Sequence, residues 1–381
     1  MVAQVAERAS ESGFFATRVH ALDGLRGVAS LLVVLHHLGA PRLALLLLAQ
    51  GHWALGFVAN TVGASGVELF FVLSGAVLGR AYLRGGQQLR LLDYARRRLL
   101  RIFPPYLAAW TVTGLAFALN PWQGRFEWRA WLAQVAIVRF GLHYAWAWWS
   151  LTTEVLFYAL VPLLIPALLR LPRRPGPMLS IFALSAVAAF IVPSTATFRE
   201  YAPYEAAALL VYAPSFTAGL LLARVDLPAS LSYASGVLGI LALVGAARPS
   251  ALSEAARHLG YALIYTCLAA RASVEGGFVS RQMSRWRLIW LGERSYSLFL
   301  IHCAVMMLIG RVASTFGGTR SVVFRLLVAS SSAGLSLFAA MLLFSLVERR
   351  FARGLVTAEA FWPFQAEPAR TKIHDELPVN N

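Results

Sequence analysis

Long apolar stretches separated by short polar ones recur from one end of the chain to the other. Ten of them are predicted to cross a bilayer as helices, for which about 20 apolar residues are the usual length. These stretches cover residues 24–40, 62–82, 100–119, 147–169, 178–194, 204–223, 232–247, 258–272, 288–310 and 322–347. Two further apolar pieces, 42–58 and 128–141, are predicted to lie in the membrane interface or to re-enter the membrane. The pattern therefore predicts an all-α fold, a polytopic transmembrane helical bundle with about ten spanning helices.

The composition of the 381 residues supports a membrane protein. Hydrophobic residues make up 58% of the chain and charged residues 14%, whereas soluble domains carry about 25% charged residues. These fractions exclude a disordered or fibrous protein and argue against an ordinary soluble enzyme. The two cysteines, Cys267 and Cys303, lie far apart in apolar sequence. Their spacing indicates neither a metal site nor a redox pair, so no metal is predicted.

Charge between the apolar stretches predicts the orientation of the bundle. The chain carries 34 basic and 18 acidic residues, and its arginines cluster between the spans, as the positive-inside rule expects. The densest cluster consists of Arg80, Arg84, Arg90, Arg96, Arg97, Arg98 and Arg101. If 128–141 does not cross, this cluster and the later ones lie on one side, and both termini are cytoplasmic. The membrane explains the basic excess without a nucleic-acid partner.

The chain is predicted to hold one membrane domain and two short flanking segments. Residues 1–20 lack the apolar core of a signal peptide and are predicted to form a cytoplasmic N-terminal segment. Residues 21–351 are predicted to form the transmembrane domain. Residues 352–381 are polar and contain three prolines, which favours a flexible cytoplasmic tail.

Ionisable residues inside the first span are candidates for function, because hydrocarbon penalises charge. Arg26 and His37 are 11 residues apart, about 20° from three full helical turns, so both point to one face roughly 16 Å apart along the axis. Asp23 precedes Arg26 by three residues, a spacing that allows a pair. A snorkelling arginine and an interfacial histidine are the alternative.

The second and third spans contribute four more candidates. Glu68 is predicted to be interfacial or to line a cavity, and Ser74 with the following glycine allows close helix packing. Arg98 and Arg101 share a helix face at the predicted cytoplasmic boundary, where two guanidinium groups suit a phosphate ligand. A plain positive-inside anchor is the alternative for both arginines.

The fourth and ninth spans carry the remaining polar positions. Ser150, Glu154 and Tyr158 recur at four-residue spacing and therefore share one face. A carboxylate at Glu154 would orient or protonate a histidine, or would make a structural hydrogen bond. Ser295 and His302 also share a face, and His302 lies deep in apolar sequence, where a structural histidine is the alternative.

Together these segments resemble the bacterial acyltransferase-3 family of integral membrane O-acyltransferases. Six motifs follow the family's order across about residues 23–351: Arg26 to His37, 70–75 (FFVLSG), 97–106 (RRLLRIFPPY), 149–158 (WSLTTEVLFY), 295–302 (SYSLFLIH) and 348–351 (ERRF). Two positions depart from the family pattern: Ala76 replaces a large apolar residue, and Arg349-Arg350 stands where a proline is common. Neither departure touches the residues expected to carry chemistry.

The resemblance implies a ten-span enzyme of the bacterial cytoplasmic (inner) membrane. Its expected reaction moves an acyl group, most often acetyl from acetyl-CoA, to a hydroxyl of a surface or exported polysaccharide, a lipo-oligosaccharide or a macrolide-like acceptor. Acyl-CoA is then a donor substrate, and no permanently bound cofactor is expected. A multi-span transporter or flippase of a glycan or lipid-linked intermediate is the rival class, and a non-catalytic scaffold is a third.

The resemblance and the predicted topology together assign roles to the candidate residues. Arg26, Arg98 and Arg101 are expected to bind the phosphates of CoA. His37 is expected to act as general base, with its tautomer fixed by Glu154 or a backbone dipole. His302 or Tyr296 would stabilise the oxyanion or bind sugar, and an acyl-histidine relay stays open. Supporting or substrate-contacting positions are Asp23, Glu68, Ser74, Ser150, Tyr158, Ser295 and Tyr296.

Overall fold

The computed structural model describes residues 19–84, 86, 88–119, 126–137, 144–191, 204–247, 253–316 and 321–351. These residues form helices and connecting turns, with no strand among them. The helices are α1 (His20–Ala49), α2 (Trp53–Ala64), α3 (Gly66–Gly79), α4 (Leu91–Ala118), α5 (Trp128–Ala133), α6 (Trp149–Arg170), α7 (Pro175–Ile191), α8 (Tyr204–Arg224), α9 (Ala229–Ala246), α10 (Ser253–Ala272), α11 (Phe278–Met283), α12 (Trp286–Glu293), α13 (Ser295–Thr315) and α14 (Val322–Leu343). Two π-helical turns, Arg80–Arg84 and Phe344–Glu348, extend α3 and α14. The predicted all-α class is confirmed, whereas the predicted segments 1–20 and 352–381 lie almost wholly outside the described residues.

Seven helical segments among the described residues are long and apolar enough to cross a membrane. They are His20–Gly39, Leu55–Arg84, Trp149–Arg170, Ala207–Arg224, Ala229–Ala246, Ser295–Thr315 and Val323–Phe351. The three other predicted spans fall in α4, α7 and α10. Helix α7 is apolar but shorter, while α4 and α10 carry several charged residues on their helices. The membrane character is therefore shown, and the count of ten stays a prediction.

The predicted continuous span 288–310 is divided in two. Helix α12 ends at Glu293 and α13 begins at Ser295, with Arg294 between them at φ −100° and ψ 1°. The Arg294 guanidinium donates to the Trp290 carbonyl at 2.8 Å, which holds the break in place. Ser295 therefore lies at the start of a helix within the bundle rather than in the middle of a continuous one.

The two pieces predicted as interfacial or re-entrant behave differently. Residues 53–58 begin α2, which is followed by a turn at Ser65 and then by α3. Together they form the long apolar segment Leu55–Arg84. In the described part of the other piece, residues 128–137, the helix is the six-residue α5, which is too short to cross. Tyr106 donates its hydroxyl to the Gln134 carbonyl, and Thr152 donates to the Ile137 carbonyl at 2.8 Å. This piece therefore turns back into the bundle, and residues 138–141 lie outside the described part.

Small residues let the central helices approach closely. A Cβ atom on Gly75 would lie 2.2 Å from the Phe216 carbonyl oxygen, and one on Gly219 would lie 2.1 Å from that of Val72. Such contacts exclude any side chain at these two glycines and fix α3 against α8. This packing holds the preceding Ser74 at the centre of the bundle.

The bundle has two chemically different ends. At the arginine end, defined by Arg84, Arg173 and Arg224, side chains bind the last carbonyls of helices; Arg224 donates to Leu171 at 2.8 Å. Arg84 also pairs with Asp226 at 2.6 Å. The histidine end is defined by His36, His37, His302, His258 and Trp146, where α1 and α13 approach α10 and the start of α6. The candidate site lies between these ends.

Candidate active site

A pair of histidines from α1 and α13 forms the first part of the site. Nε2 of His302 lies 3.2 Å from Nδ1 of His37. Nδ1 of His302 lies 2.8 Å from the Phe299 carbonyl oxygen, and Nδ1 of His37 lies 2.9 Å from that of Val33. His302 is fully buried, whereas His37 is partly exposed beside Trp146. The two predicted histidines therefore meet, although 265 positions separate them in the sequence.

The hydrogen bonds of this pair define its tautomers. A carbonyl oxygen only accepts, so each neutral imidazole must carry its proton on Nδ1. Nε2 of His302 then accepts from Nδ1–H of His37. Among the described residues no hydrogen bond involves Nε2 of His37, which is left with a lone pair for a substrate proton. Backbone carbonyls rather than Glu154 thus fix the tautomer, which is one of the two alternatives left open by the sequence.

Glu154 belongs to a different hydrogen-bond network. Its Oε1 accepts from the Ser74 hydroxyl at 2.8 Å and from the Tyr158 hydroxyl. In this structure Oε1 of Glu154 therefore contacts α3 and the next turn of its own helix, and a catalytic role for Glu154 stays a prediction. Ser74 does more than pack, since it satisfies a carboxylate inside the bundle.

A cavity of about 570 Å³, its open mouth included, collects most of the predicted residues. Its polar lining consists of Arg26, Arg101, Ser150, Glu154, Tyr158, Ser295 and Tyr296. Its apolar lining includes Phe70, Phe71 and Phe299. Phe299 links the cavity to the histidine pair, because its carbonyl accepts from His302 and its ring centroid lies 6.1 Å from that imidazole.

The three predicted phosphate-binding arginines divide into two groups. Arg26 and Arg101 line the cavity and are electrostatic neighbours of each other. Nε of Arg26 is buried without a hydrogen-bond partner among the described residues. Arg98 instead places its guanidinium over the rings of Tyr94 and Tyr158, at 5.7 and 5.3 Å from their centroids. Arg98 therefore supports the wall of the cavity at Tyr158.

Three of the predicted supporting residues, Tyr296, Glu68 and Asp23, make contacts that the sequence did not predict. Tyr296 donates its hydroxyl to the Ile102 carbonyl at 3.0 Å, so this hydroxyl is engaged by backbone rather than free for an oxyanion. Glu68 lies outside the cavity lining and pairs with His258 of α10 at 2.7 Å. Asp23 is buried, and its carbonyl oxygen would lie 1.9 Å from a Cβ atom on Gly292. It therefore lies at the tight contact between α1 and α12.

Sequence reasoning did not assign a role to Glu348. This residue ends the π-helical turn that follows α14, is buried, and accepts from the Ser297 hydroxyl at 2.5 Å. It is also an electrostatic neighbour of Arg101. In the sequence Glu348 stands next to two arginines, as a residue at the membrane boundary would. In the structure the π turn rotates its side chain inward. A charged residue directly after an apolar span was the available signal.

A comparison of the chain with models of protein families gave a match. The model described as an acyltransferase domain, that of the acyltransferase-3 family, matches residues 19–347. No match was found among curated proteins or among solved structures. The match includes five of the six motifs in full, both histidines, all three arginines and Glu154. It therefore shows that this chain, with its membrane helices and its buried histidine pair, belongs to the acyltransferase-3 family.

Proposed function

We propose that this chain is an O-acyltransferase of the bacterial cytoplasmic membrane. It transfers an acyl group, in the simplest case acetyl from acetyl-CoA, to a hydroxyl of a carbohydrate or of a glycosylated or macrolide-like acceptor. Modification of a surface or exported polysaccharide is the proposed purpose. The observation that carries this proposal is the lone pair on Nε2 of His37, held ready by a backbone carbonyl and His302 beside the cavity.

The proposed topology brings donor and acceptor from opposite sides. Ten spans with both termini in the cytoplasm place the arginine end inside, as its charge favours. CoA is made in the cytoplasm and its phosphates are anionic, so it approaches from that end. Arg26 and Arg101 attract the donor into the cavity, where their two neighbouring positive charges suit an anion. The slender pantetheine arm then carries the thioester towards Phe299 and the histidine pair.

The chemical step uses His37 as general base. Its Nε2 takes the proton of the acceptor hydroxyl as the oxygen attacks the thioester carbonyl carbon. The C–S bond then breaks, and the CoA thiolate receives the proton from His37. During this step Nε2 of His302 accepts from Nδ1–H of His37 and so stabilises the imidazolium that forms.

The proposal is tested by a mass-spectrometric comparison of surface glycans and secreted small molecules. Cells carry the wild-type chain, His37→Ala or His36→Ala, matched for membrane abundance. The neighbouring His36 is the control, because its ring meets that of His37 edge-on, whereas it is His37 that contacts His302. We expect an acyl-sized mass increment in the wild type and in His36→Ala, and its loss in His37→Ala. Identical profiles from all three, with the protein present, would contradict the proposal and favour transport.

A further inference from the structure

A second buried ionisable cluster lies at the histidine end, between α3 and α10, and takes no part in the mechanism above. Glu68 is 1% exposed, and its Oε1 lies 2.7 Å from Nδ1 of His258. Its other oxygen, Oε2, is buried and has no hydrogen-bond partner among the described residues. Because an unsatisfied buried carboxylate oxygen is costly, this atom points to a ligand group that the chain itself does not supply.

The cluster continues to the surface through a chain of polar side chains. Nη2 of Arg257 lies 3.0 Å from Nε2 of His258 and 3.3 Å from Oε1 of Glu254. The exposed fraction of the side chain rises from 1% at Glu68 to 9% at His258 and 18% at Arg257, and reaches 80% at Glu254. Donors and acceptors therefore alternate along a short route from solvent to the buried carboxylate.

Helix packing alone does not require this charged pair. Two neutral hydrogen bonds already join α10 to α2 and to the turn before α3: Thr61 to Tyr261 at 2.7 Å and Ser65 to Tyr265 at 2.5 Å. Hydroxyl pairs of this kind hold helices together in a membrane without burying charge. A carboxylate in the same row costs desolvation that a third hydroxyl would not, which favours a role in binding.

The cluster borders both parts of the candidate site. The ring of Tyr212 lies 4.8 Å from that of His258 and 5.1 Å from that of Phe71, which lines the cavity. Trp149, partly exposed, packs on the same Tyr212 ring at 5.5 Å. In the other direction, Arg257 lies within electrostatic reach of His36, the neighbour of the proposed base. The cluster therefore has one neighbour in the cavity wall, Phe71 through Tyr212, and another in α1, His36.

We propose that Glu68, His258, Arg257 and Glu254, with the ring of Trp149, form the binding site for a polyhydroxylated sugar acceptor. The carboxylate oxygens accept from sugar hydroxyls, Arg257 donates to them, and the aromatic ring offers an apolar face. Two carboxylates against one arginine disfavour the anionic CoA, so this site differs in charge from the one at Arg26 and Arg101. The inference rests on the proposed function, since it supplies the acceptor for that reaction.

The test separates sugar binding from donor binding and from transfer. The purified chain is placed in lipid nanodiscs, which avoid sugar-headed detergents, as the wild type, Glu68→Gln, Arg257→Gln and Tyr265→Phe. Saturation-transfer difference NMR is recorded with the methyl glycosides of glucose, galactose, mannose and N-acetylglucosamine. Binding of radiolabelled acetyl-CoA is measured on the same samples. Tyr265→Phe is the matched control, because it removes one neutral hydrogen bond from the same helix joint.

We expect the wild type and Tyr265→Phe to bind at least one glycoside. Glu68→Gln and Arg257→Gln should weaken that binding about tenfold, as loss of a charge-assisted hydrogen bond does, with acetyl-CoA binding kept within about twofold. Absence of any glycoside signal in the wild type, unchanged binding in both variants, or an equal loss of acetyl-CoA binding would each overturn the site. A chain that binds glycosides through Glu68 but acylates nothing would overturn the proposed function and leave the site standing.

Discussion

Two buried histidines at the same end of the bundle, His302 and His258, differ in the charge of their hydrogen-bond partners. His302 is bonded to the Phe299 carbonyl and to the neutral His37. His258 lies between the Glu68 carboxylate and the Arg257 guanidinium. The neutral partners of His302 allow its Nε2 to accept a hydrogen bond from His37, the proposed base. At His258, charged partners engage both ring nitrogens. This difference is why we propose proton transfer at the first histidine pair and recognition at the second cluster.

The largest effect is expected at His37, because the lone pair on its Nε2 is proposed to take the proton of the acceptor hydroxyl. His37→Ala should lower the rate of acyl transfer at saturating acetyl-CoA by about 10²–10⁴-fold, the usual contribution of a general base. Initial rates are measured on wild type, His37→Ala and His36→Ala in nanodiscs. His36→Ala should stay within about threefold of the wild type, since a neighbouring ring is not the base. A His37→Ala enzyme that keeps a tenth of the wild-type rate would remove the base from this position.

Substitutions of His302 and His258 sharpen the comparison between the two regions. His302→Leu removes the acceptor that stabilises the His37 imidazolium, and should lower kcat about tenfold to a hundredfold with little change in the acceptor KM. His258→Gln disturbs Arg257 and Glu68 instead, and should raise the acceptor KM while kcat at saturating acceptor stays within about threefold. Steady-state kinetics with the acceptor found for the wild type gives both constants. Equal effects on kcat from both variants would erase the distinction between the two regions.

A smaller effect is expected in the hydrogen-bond network of the cavity. Glu154→Ala leaves the Ser74 and Tyr158 hydroxyls without their acceptor, which should reduce the free energy of unfolding by about 1–3 kcal/mol. Glu154→Gln keeps one acceptor oxygen and should lose less. Thermal unfolding of both variants in nanodiscs measures the difference. If Glu154→Gln lost as much stability as Glu154→Ala, the charge rather than the hydrogen bonds would be the stabilising feature.

The sequence predicted the helices better than the contacts between them. Apolar length alone identified the segments around α1, α6, α8, α9 and α14, because a spanning helix satisfies its own backbone. Helical periodicity placed Ser150, Glu154 and Tyr158 on one face, and all three line the cavity. The partner of Glu154 could not be predicted, since Ser74 lies 80 positions away and reaches it only through packing.

The same limit explains the residues that sequence reasoning missed. His258 follows Glu254 and Arg257 at the edge of a predicted span, and nothing near it in sequence indicates Glu68, which is 190 positions away. The break at Arg294 lies in a short polar interruption, Gly292 to Ser295, which the predicted span 288–310 treated as part of one continuous helix. Local pattern therefore determines elements and faces, while the close approach of small residues such as Gly75 and Gly219 determines which faces meet.

The smallest effect is expected at the neutral hydrogen bonds that border the charged pair. Tyr265→Phe removes only the bond to Ser65, so the free energy of unfolding should fall by about 0.5–1 kcal/mol with no change in either KM. Thermal unfolding and steady-state kinetics of this variant, beside Glu68→Gln, provide the check. A neutral bond supports the joint between α2, α3 and α10, whereas the charged pair in the same row is proposed to bind the acceptor. If Tyr265→Phe raised the acceptor KM as much as Glu68→Gln, the row would act as one structural unit, and the separation of recognition from packing at this end of the bundle would fail.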